Sequence, residues 1–506
     1  MPTPLAAAAT AADTAHELEI VLRSRIPLVV IESRDEERIL ELLKSLAARL
    51  ARPQVMPIFK WTVTDGLERI DIDMGGAQHL NAPPAEVLRH IRALGKPGVF
   101  VLLDFHPYLD DPANVRMLKD ICLAYDKVAR TIVLLSYAVK LPAELENFSA
   151  RFECAVPTAP ERRALVESIA EEWRAAHGER KVSADPTALK LLVENLSGLT
   201  SGDTRRLVRK AIFDDGMLSQ ADLPTLLEAK YRLLNRSGAV TFEHDTAAFA
   251  DVGGLTRLKQ WLEDRRAAFE GTAPDLDPPK GILLLGVQGC GKSLVARAAA
   301  GAYRVPLLRL DFGALYTKWH GESERNLRDT LATAEAMAPC VLWLDEIEKG
   351  VAAGEGDSGT SKRVLGTLLT WLADKKSHVF VVATANDIEA LPPELIRKGR
   401  FDEIFFVDLP TREARARILK LHAEKRGLKL DAKELGGLVA RSEGFSGAEL
   451  EQAVVAALYG ARAHREAVCA RHVAEELDAT RPLSVVMSEQ VSALRTWAAS
   501  RAVAAD

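Results

Sequence analysis

Residues Gly281 to Ser293 read Gly-Ile-Leu-Leu-Leu-Gly-Val-Gln-Gly-Cys-Gly-Lys-Ser, and the reading of this stretch decides the fold. Ile282 to Leu285 is a short apolar run of the kind that forms a buried strand. It empties into Gly286, Gly289, Gly291, Lys292 and Ser293, which fill every required position of G-x-x-x-x-G-K-[ST]. Glycines at these positions let successive backbone N–H groups point into one concavity with no side chain in the way. Lys292 adds a point charge for β- and γ-phosphates, and the Ser293 hydroxyl suits Mg²⁺. The following Leu294-Val295-Ala296-Arg297-Ala298 run is a helix former, so its positive N-terminus faces the same phosphates. Strand, loop and helix together predict a nucleoside triphosphate held by Gly286, Gln288, Gly289, Cys290, Gly291, Lys292, Ser293 and Leu294.

The chain around this loop has 506 residues, enough for about three domains. With 48% apolar and 27% charged residues it has the composition of an ordinary globular protein. A net charge of −5 argues against a general affinity for nucleic acid or an anionic membrane. Cys122, Cys154, Cys290, Cys340 and Cys469 have neither C-x-x-C nor metal-ligand spacing, which fits a reducing cytoplasm. No apolar run reaches the roughly 18 residues that span a bilayer. Met1 to Ala15 lacks a basic stretch and a long apolar core and reads as a flexible tail, not a signal peptide.

The first half echoes the second. Pro27 to Glu32 reads as a buried strand that runs straight into Ser33-Arg34-Asp35-Glu36, a helix start with no glycine loop. Asp35, Glu36 and Glu37 then stand where phosphates would otherwise sit. Further strands are expected over Gly98–Asp104 and Thr131–Ser136, with Phe152–Val156 another candidate. Val99 to Asp104 parallels Cys340 to Asp345, and Leu141-Pro142-Ala143-Glu144-Leu145 parallels Leu391-Pro392-Pro393-Glu394-Leu395. Thr158 to Glu161 and Pro410 to Glu413 each open a helical segment after the last strand. The pattern is that of an internal duplication whose first copy has lost its chemistry, Phe105 replacing an acid. The helix-rich stretch from Pro160 to Leu234 would be the lid of that copy, and Arg236-Ser237-Gly238-Ala239 a linker.

In the second half, strands are expected over Ile282–Leu285, Pro306–Asp311, Cys340–Asp345, Val379–Thr384 and Glu403–Leu409. Helical patterns between most of them predict an α/β fold with a doubly wound parallel sheet, which binds ligands beyond its strand C-termini. The third of these strands delivers Asp345 and Glu346. Asp345 suits the shell of Mg²⁺, a hard cation that wants oxygen. Glu346 is placed to orient or deprotonate an attacking water.

Asp251-Val252-Gly253-Gly254-Leu255, the glycine loop, Asp345-Glu346, Ala383-Thr384-Ala385-Asn386 and Arg397-Lys398-Gly399-Arg400-Phe401, in this order, resemble an AAA ATPase from about Ala250 to Thr480. The resemblance implies Mg²⁺-dependent ATP hydrolysis by a P-loop domain with a helical lid, working as a homo-oligomeric, hexameric ring on a protein client. It makes Asn386 the sensor of the γ-phosphate or lytic water. Arg397 and Arg400 become arginine fingers reaching a neighbour's nucleotide, and Asp251 and Gly253 lie near the adenine. Ser446-Gly447-Ala448-Glu449 matches the lid motif, although Ser446 and Glu449 also have capping-box spacing. The fuller combination, including VLWLDEIEKG and DSGTSKRVLGTLLTWL, resembles the bacterial and plastid AAA proteins named after a hypothetical chloroplast reading frame.

The organisation expected is a tail over 1–15, a degenerate AAA-like domain with lid over 16–236 and a linker over 237–246. An ATPase core over 247–410, a lid over 411–482 and a helical tail over 483–506 follow. Three functions compete: a client-remodelling ring, an ATP-gated adaptor that binds without unfolding, and a nucleic-acid motor, the last disfavoured by charge. The threading form of the first assigns the client grip to Trp319, in the loop after the second strand. Ala373-Asp374-Lys375-Lys376 replaces the Asp-Gly-Phe signal that AAA rings pass between subunits. Cys290 has two readings, a small packed residue or a thiol acidified by a helix N-terminus and therefore oxidant-sensitive.

Overall fold

A computed structural model describes residues 11–50, 56–72, 79–154, 156–178, 182–235, 238–243, 252–273, 275–315, 322–352, 358–387, 391–397 and 399–506. The chain forms two compact units that divide between Leu223 and Pro224.

The first unit is built on strands β1 (Leu28–Glu32), β2 (Ile58–Thr62), β3 (Gly66–Arg69), β4 (Gly98–Leu103), β5 (Arg130–Ser136) and β6 (Ser149–Phe152). Their order in the sheet is β3-β2-β4-β5-β1-β6, parallel throughout except for the β3 edge. The runs Leu-Val-Val-Ile and Gly-Val-Phe-Val-Leu-Leu are apolar at every residue because helices cover both faces of a parallel sheet. Alternation sorts the two faces. Leu28, Val30, Phe100, Leu102, Ile132 and Leu134 pack on helices Pro84–Ala93 and Pro112–Leu123. Val29, Ile31, Val99, Val101, Val133 and Leu135 pack on helices Ala11–Arg23 and Glu36–Leu50. Three further helices, Ala159–Ala176, Pro186–Asn195 and Ser201–Asp215, form a small lid with the two-residue strands β7 (Ser183–Ala184) and β8 (Met217–Leu218).

The second unit repeats the plan with β9 (Val240–Glu243), β10 (Gly281–Gly286), β11 (Leu307–Leu310), β12 (Cys340–Leu344), β13 (Val379–Ala385), β14 (Glu403–Val407) and β15 (Val503–Ala504). The order is β15-β14-β10-β13-β12-β11-β9, again parallel except at the β9 edge. The five central strands therefore follow the same order in both units. A four-helix lid, Arg412–Lys425, Ala432–Arg441, Gly447–Ala463 and Ala470–Ala479, closes on its own core around Leu419, Leu450, Val454 and Val473.

The echoes seen in the sequence are structural equivalents. Pro142 and Pro392 each begin a four-residue helix with a buried leucine, Leu145 or Leu395. Thr158 and Thr411 each precede the first lid helix as its N-cap. Phe105 is buried edge-on to Trp61, with ring centroids 5.3 Å apart.

Two details add to the expected boundaries. The helix Asp222–Leu234, expected with the lid of the first copy, packs Leu227, Tyr231 and Leu234 on the core of the second unit. The linker expected over 237–246 contains a strand, β9, paired antiparallel to β11 through Val240–Glu243. Buried Val240 and half-buried Phe242, which packs on the same core, draw it onto the sheet, and the Tyr231 hydroxyl donates to the Val240 carbonyl at 2.5 Å. The tail over 483–506 is helical only to Ala498. It then adds β15 beside β14, and the Asp506 carboxylate accepts from the Thr256 N–H at the start of the Thr256–Asp264 helix. Among the described residues no helix is long and apolar enough to cross a membrane.

Candidate functional site

The loop after β10 has the backbone its glycines allow. Gly286 has φ 151°, and a Cβ there would lie 2.0 Å from the Val407 carbonyl oxygen of the neighbouring strand. Gly291, with φ 92°, is the residue before the Lys292–Tyr303 helix. Lys292 is buried against the loop, its Nζ donating to the Gly286 and Val287 carbonyls at 2.7 and 2.9 Å. Burial pushes its pKa down to about 8, against the partial support of nearby acids. A phosphate would exchange those two carbonyls for oxyanions and restore full charge.

Gly253, Gln288, Gly289, Cys290, Gly291, Lys292, Ser293, Leu294, Asp345, Glu346 and Asn386 all line one cavity of about 680 Å³. Gly286 lines a second cavity of about 720 Å³, which shares Gln288 and Asn386 with the first. Arg397 and Arg400 line neither cavity. Arg397 is exposed, and Arg400 keeps a buried guanidinium nitrogen with no hydrogen-bond partner. Asp251 and Trp319 lie outside the described residues.

The acidic pair is held by a network that spacing alone did not disclose. Thr384 Oγ1 donates to Asp345 Oδ1 at 2.9 Å and accepts the Glu346 N–H at 3.0 Å. Arg309 donates to Asp345 Oδ2 at 2.9 Å. Glu346 has φ 49°, a left-handed backbone that turns the chain sharply at the strand end. Its carboxylate accepts from Asn386 Nδ2 at 2.9 Å and pairs with Lys349. Glu348 accepts the Asn386 N–H at 2.9 Å, and burial raises its pKa above the ordinary carboxylate range. Glu348 lies in the same Asp-Glu-Ile-Glu run as the pair, and Thr384 in the run that ends in Asn386. Those placements were the available signal.

The lid supplies the opposite wall through Ile418, Leu421, His422, Lys425 and Glu451. The Ala448 N–H donates to the Gly289 carbonyl at 3.0 Å, joining the lid helix to the loop. Ser446 and Glu449 form the capping box their spacing allows, and Glu449 also accepts from the Leu483 N–H. Cys290 is half-buried and packs on the core beside the loop, as its packed reading expects. Burial pushes its thiol up to about 12, outweighing the nearby Lys292 charge, which disfavours the thiolate.

The first unit retains part of this geometry and none of the loop. Ser136 Oγ donates to Asp104 Oδ1 at 2.8 Å, at the register positions of Thr384 and Asp345. Buried Asp35 accepts from the Ser201 N–H at 2.6 Å, at the start of the lid helix. A fixed carboxylate thus occupies the joint between core and lid.

The model of the ATPase family associated with various cellular activities (AAA) matches residues 282–409. Those of the SpoVK-like AAA ATPase N-terminal and second domains match 14–154 and 160–237. The AAA domain-containing protein ycf46 of Pyropia yezoensis is 33% identical over 493 residues, covering 96% of this chain and 97% of that protein. This chain belongs to the Ycf46-like AAA proteins. The relative from Trieres chinensis is likewise 33% identical, with 96% of each chain covered. The crystal structure of the FIGL-1 AAA domain in complex with ADP aligns at 24% identity, over 54% of this chain and 96% of that one, with a TM-score of 0.46. The Ycf46-like chain is an ATPase, its AAA domain preceded by an AAA-like unit.

Proposed function

We propose that the second unit hydrolyses ATP in the cavity beneath its lid, with each residue in a separate role. The observation that carries this reading is the Glu346–Asn386 hydrogen bond, 2.9 Å, in the same cavity as Lys292 and Ser293. The loop N–H groups and Lys292 bind the phosphates, and Gly253 with the lid wall takes the adenine. Ser293 and Asp345 offer one hydroxyl and one carboxylate on the same cavity, a donor set that suits Mg²⁺, which keeps waters and phosphate oxygens as its other ligands. When bound, the ion neutralises charge on the transferring phosphoryl group. Glu346 orients and deprotonates the water, and Asn386 holds that carboxylate and reads the γ-phosphate.

Arg397 and Arg400 act on the nucleotide of an adjacent copy in a hexameric ring. Their absence from both cavities of their own chain supports a role in trans. The ring couples hydrolysis to remodelling of a protein client. Lys292→Ala is expected to lose ATP binding, and Glu346→Gln to keep binding and lose turnover. Client captured by Glu346→Gln in the ATP state should raise wild-type ATPase and lose structure in the process. A client that binds with ATP yet stays folded refutes remodelling in favour of an adaptor.

A further inference from the structure

Arg309 is a charged residue inside a buried run. Its neighbours Leu307, Leu308 and Leu310 on β11 are fully buried, as expected for a strand covered on both faces. Arg309 lies opposite Trp343 in the parallel register of β11 and β12, and its guanidinium rests 4.7 Å from the Trp343 ring centroid. From that perch it reaches Asp345 Oδ2 at 2.9 Å, while Thr384 occupies Oδ1. Its buried Nε has no hydrogen-bond partner, so the pose costs one donor its solvation. Asp345 is therefore gripped on both oxygens, by a neutral hydroxyl on one side and a full positive charge on the other.

We propose that Arg309 is a positioning residue that stands in for the cation at Asp345 until metal and nucleotide arrive. This rests on the reading of Asp345 as a residue on the metal side of the site. Without the guanidinium, the Asp345 carboxylate would face an incoming triphosphate uncompensated, and like charges in one cavity repel. Arg309 thereby favours metal-free nucleotide. Once Mg²⁺ is bound, the guanidinium becomes a like charge beside it and opposes it. Both effects reduce the coupling between Mg²⁺ and nucleotide, which by linkage is the same whichever binds first. A guanidinium that only covered Trp343 would leave this coupling untouched.

The test uses the full chain in a Glu346→Gln background, so that nucleotide is not consumed. Affinity for a fluorescent ATP analogue is measured in EDTA and in saturating Mg²⁺, and the ratio of the two is the readout. Arg309→Met keeps the aliphatic stem over Trp343 and removes the charge. Its ratio should rise about tenfold, chiefly through weaker binding in EDTA. Arg309→Lys keeps the charge and should stay within about twofold of the parent. Should the Met variant fail to fold, Arg309→Gln makes the same comparison against Lys. Equal ratios in charged and uncharged variants overturn the proposal and leave Arg309 a packing residue. A parent whose nucleotide affinity ignores Mg²⁺ overturns both the proposal and the metal reading of Asp345.

Discussion

Replacing Thr384 by Val removes one oxygen that serves two partners. The side chain is 2% exposed, and valine nearly matches its shape, so the change is electronic more than steric. Two bonds go: the hydroxyl donated to Asp345 at 2.9 Å, and the acceptor for the Glu346 N–H at 3.0 Å. A hydrogen bond to a charged group contributes about 1.5–3 kcal/mol, and Asp345 is partly exposed, which favours the low end. An orphaned N–H costs about 1–3 kcal/mol, and the added methyl recovers about 0.8 kcal/mol. The net loss is about 2–4 kcal/mol. With a urea slope of about 2–3 kcal/mol/M, the unfolding midpoint of the second unit should fall by about 1 M. Releasing the Glu346 backbone from its left-handed turn should also cut turnover at least about tenfold, with ATP affinity nearly unchanged because the Lys292 loop is intact. Urea unfolding and steady-state ATPase assays are run beside Thr384→Ser, which keeps the hydroxyl and loses only a methyl. A Val variant as stable and as active as the Ser variant would refute the reasoning.

Burial holds the Lys292 pKa near 8, below its usual 10.5, so the folded state disfavours the charged form. The resulting destabilisation of the fold is full below about pH 8 and fades as pH rises toward 10.5. Because phosphate restores the charge, ATP affinity should be level below pH 8 and then fall by up to about tenfold per unit. Lys292→Arg should flatten that slope in analogue titrations between pH 7 and 9.5, and an unchanged slope would assign it to another group. Equilibrium dialysis of the full chain should find one nucleotide per chain, since Asp35 and the missing loop deny phosphate the first unit; two would contradict this. Arg397→Ala and Arg400→Ala should each bind ATP and lose about 10³–10⁵ in hydrolysis, the range for arginine fingers. Mixing either with Glu346→Gln subunits should restore part of the rate, and a concentration-independent monomer at full rate would exclude action in trans.

The Gly286–Ser293 loop was legible in the sequence because its signals are local: glycine where φ is positive, an apolar strand before it and a helix former after it. The capping box of Ser446 and Glu449 is local in the same way, each partner lying within one helical turn of the other. The parallel sheet followed from the helical patterns that separate most of the apolar runs. Side-chain partners across strands had no such signal. Arg309 and Asp345 are 36 residues apart, and Thr384 is 38 from the Glu346 N–H it accepts. These meetings depend on the register of three parallel strands, which no single run of residues encodes. The same limit hid β9, four residues beside a glycine-bearing connection that become a strand only because β11 presents an unpaired edge. The acids at Asp35–Glu37 were enough to argue against phosphate in the first unit. That Asp35 instead holds the Ser201 N–H, 166 residues on, was decided by tertiary structure, because a buried carboxylate needs a donor wherever the fold brings one.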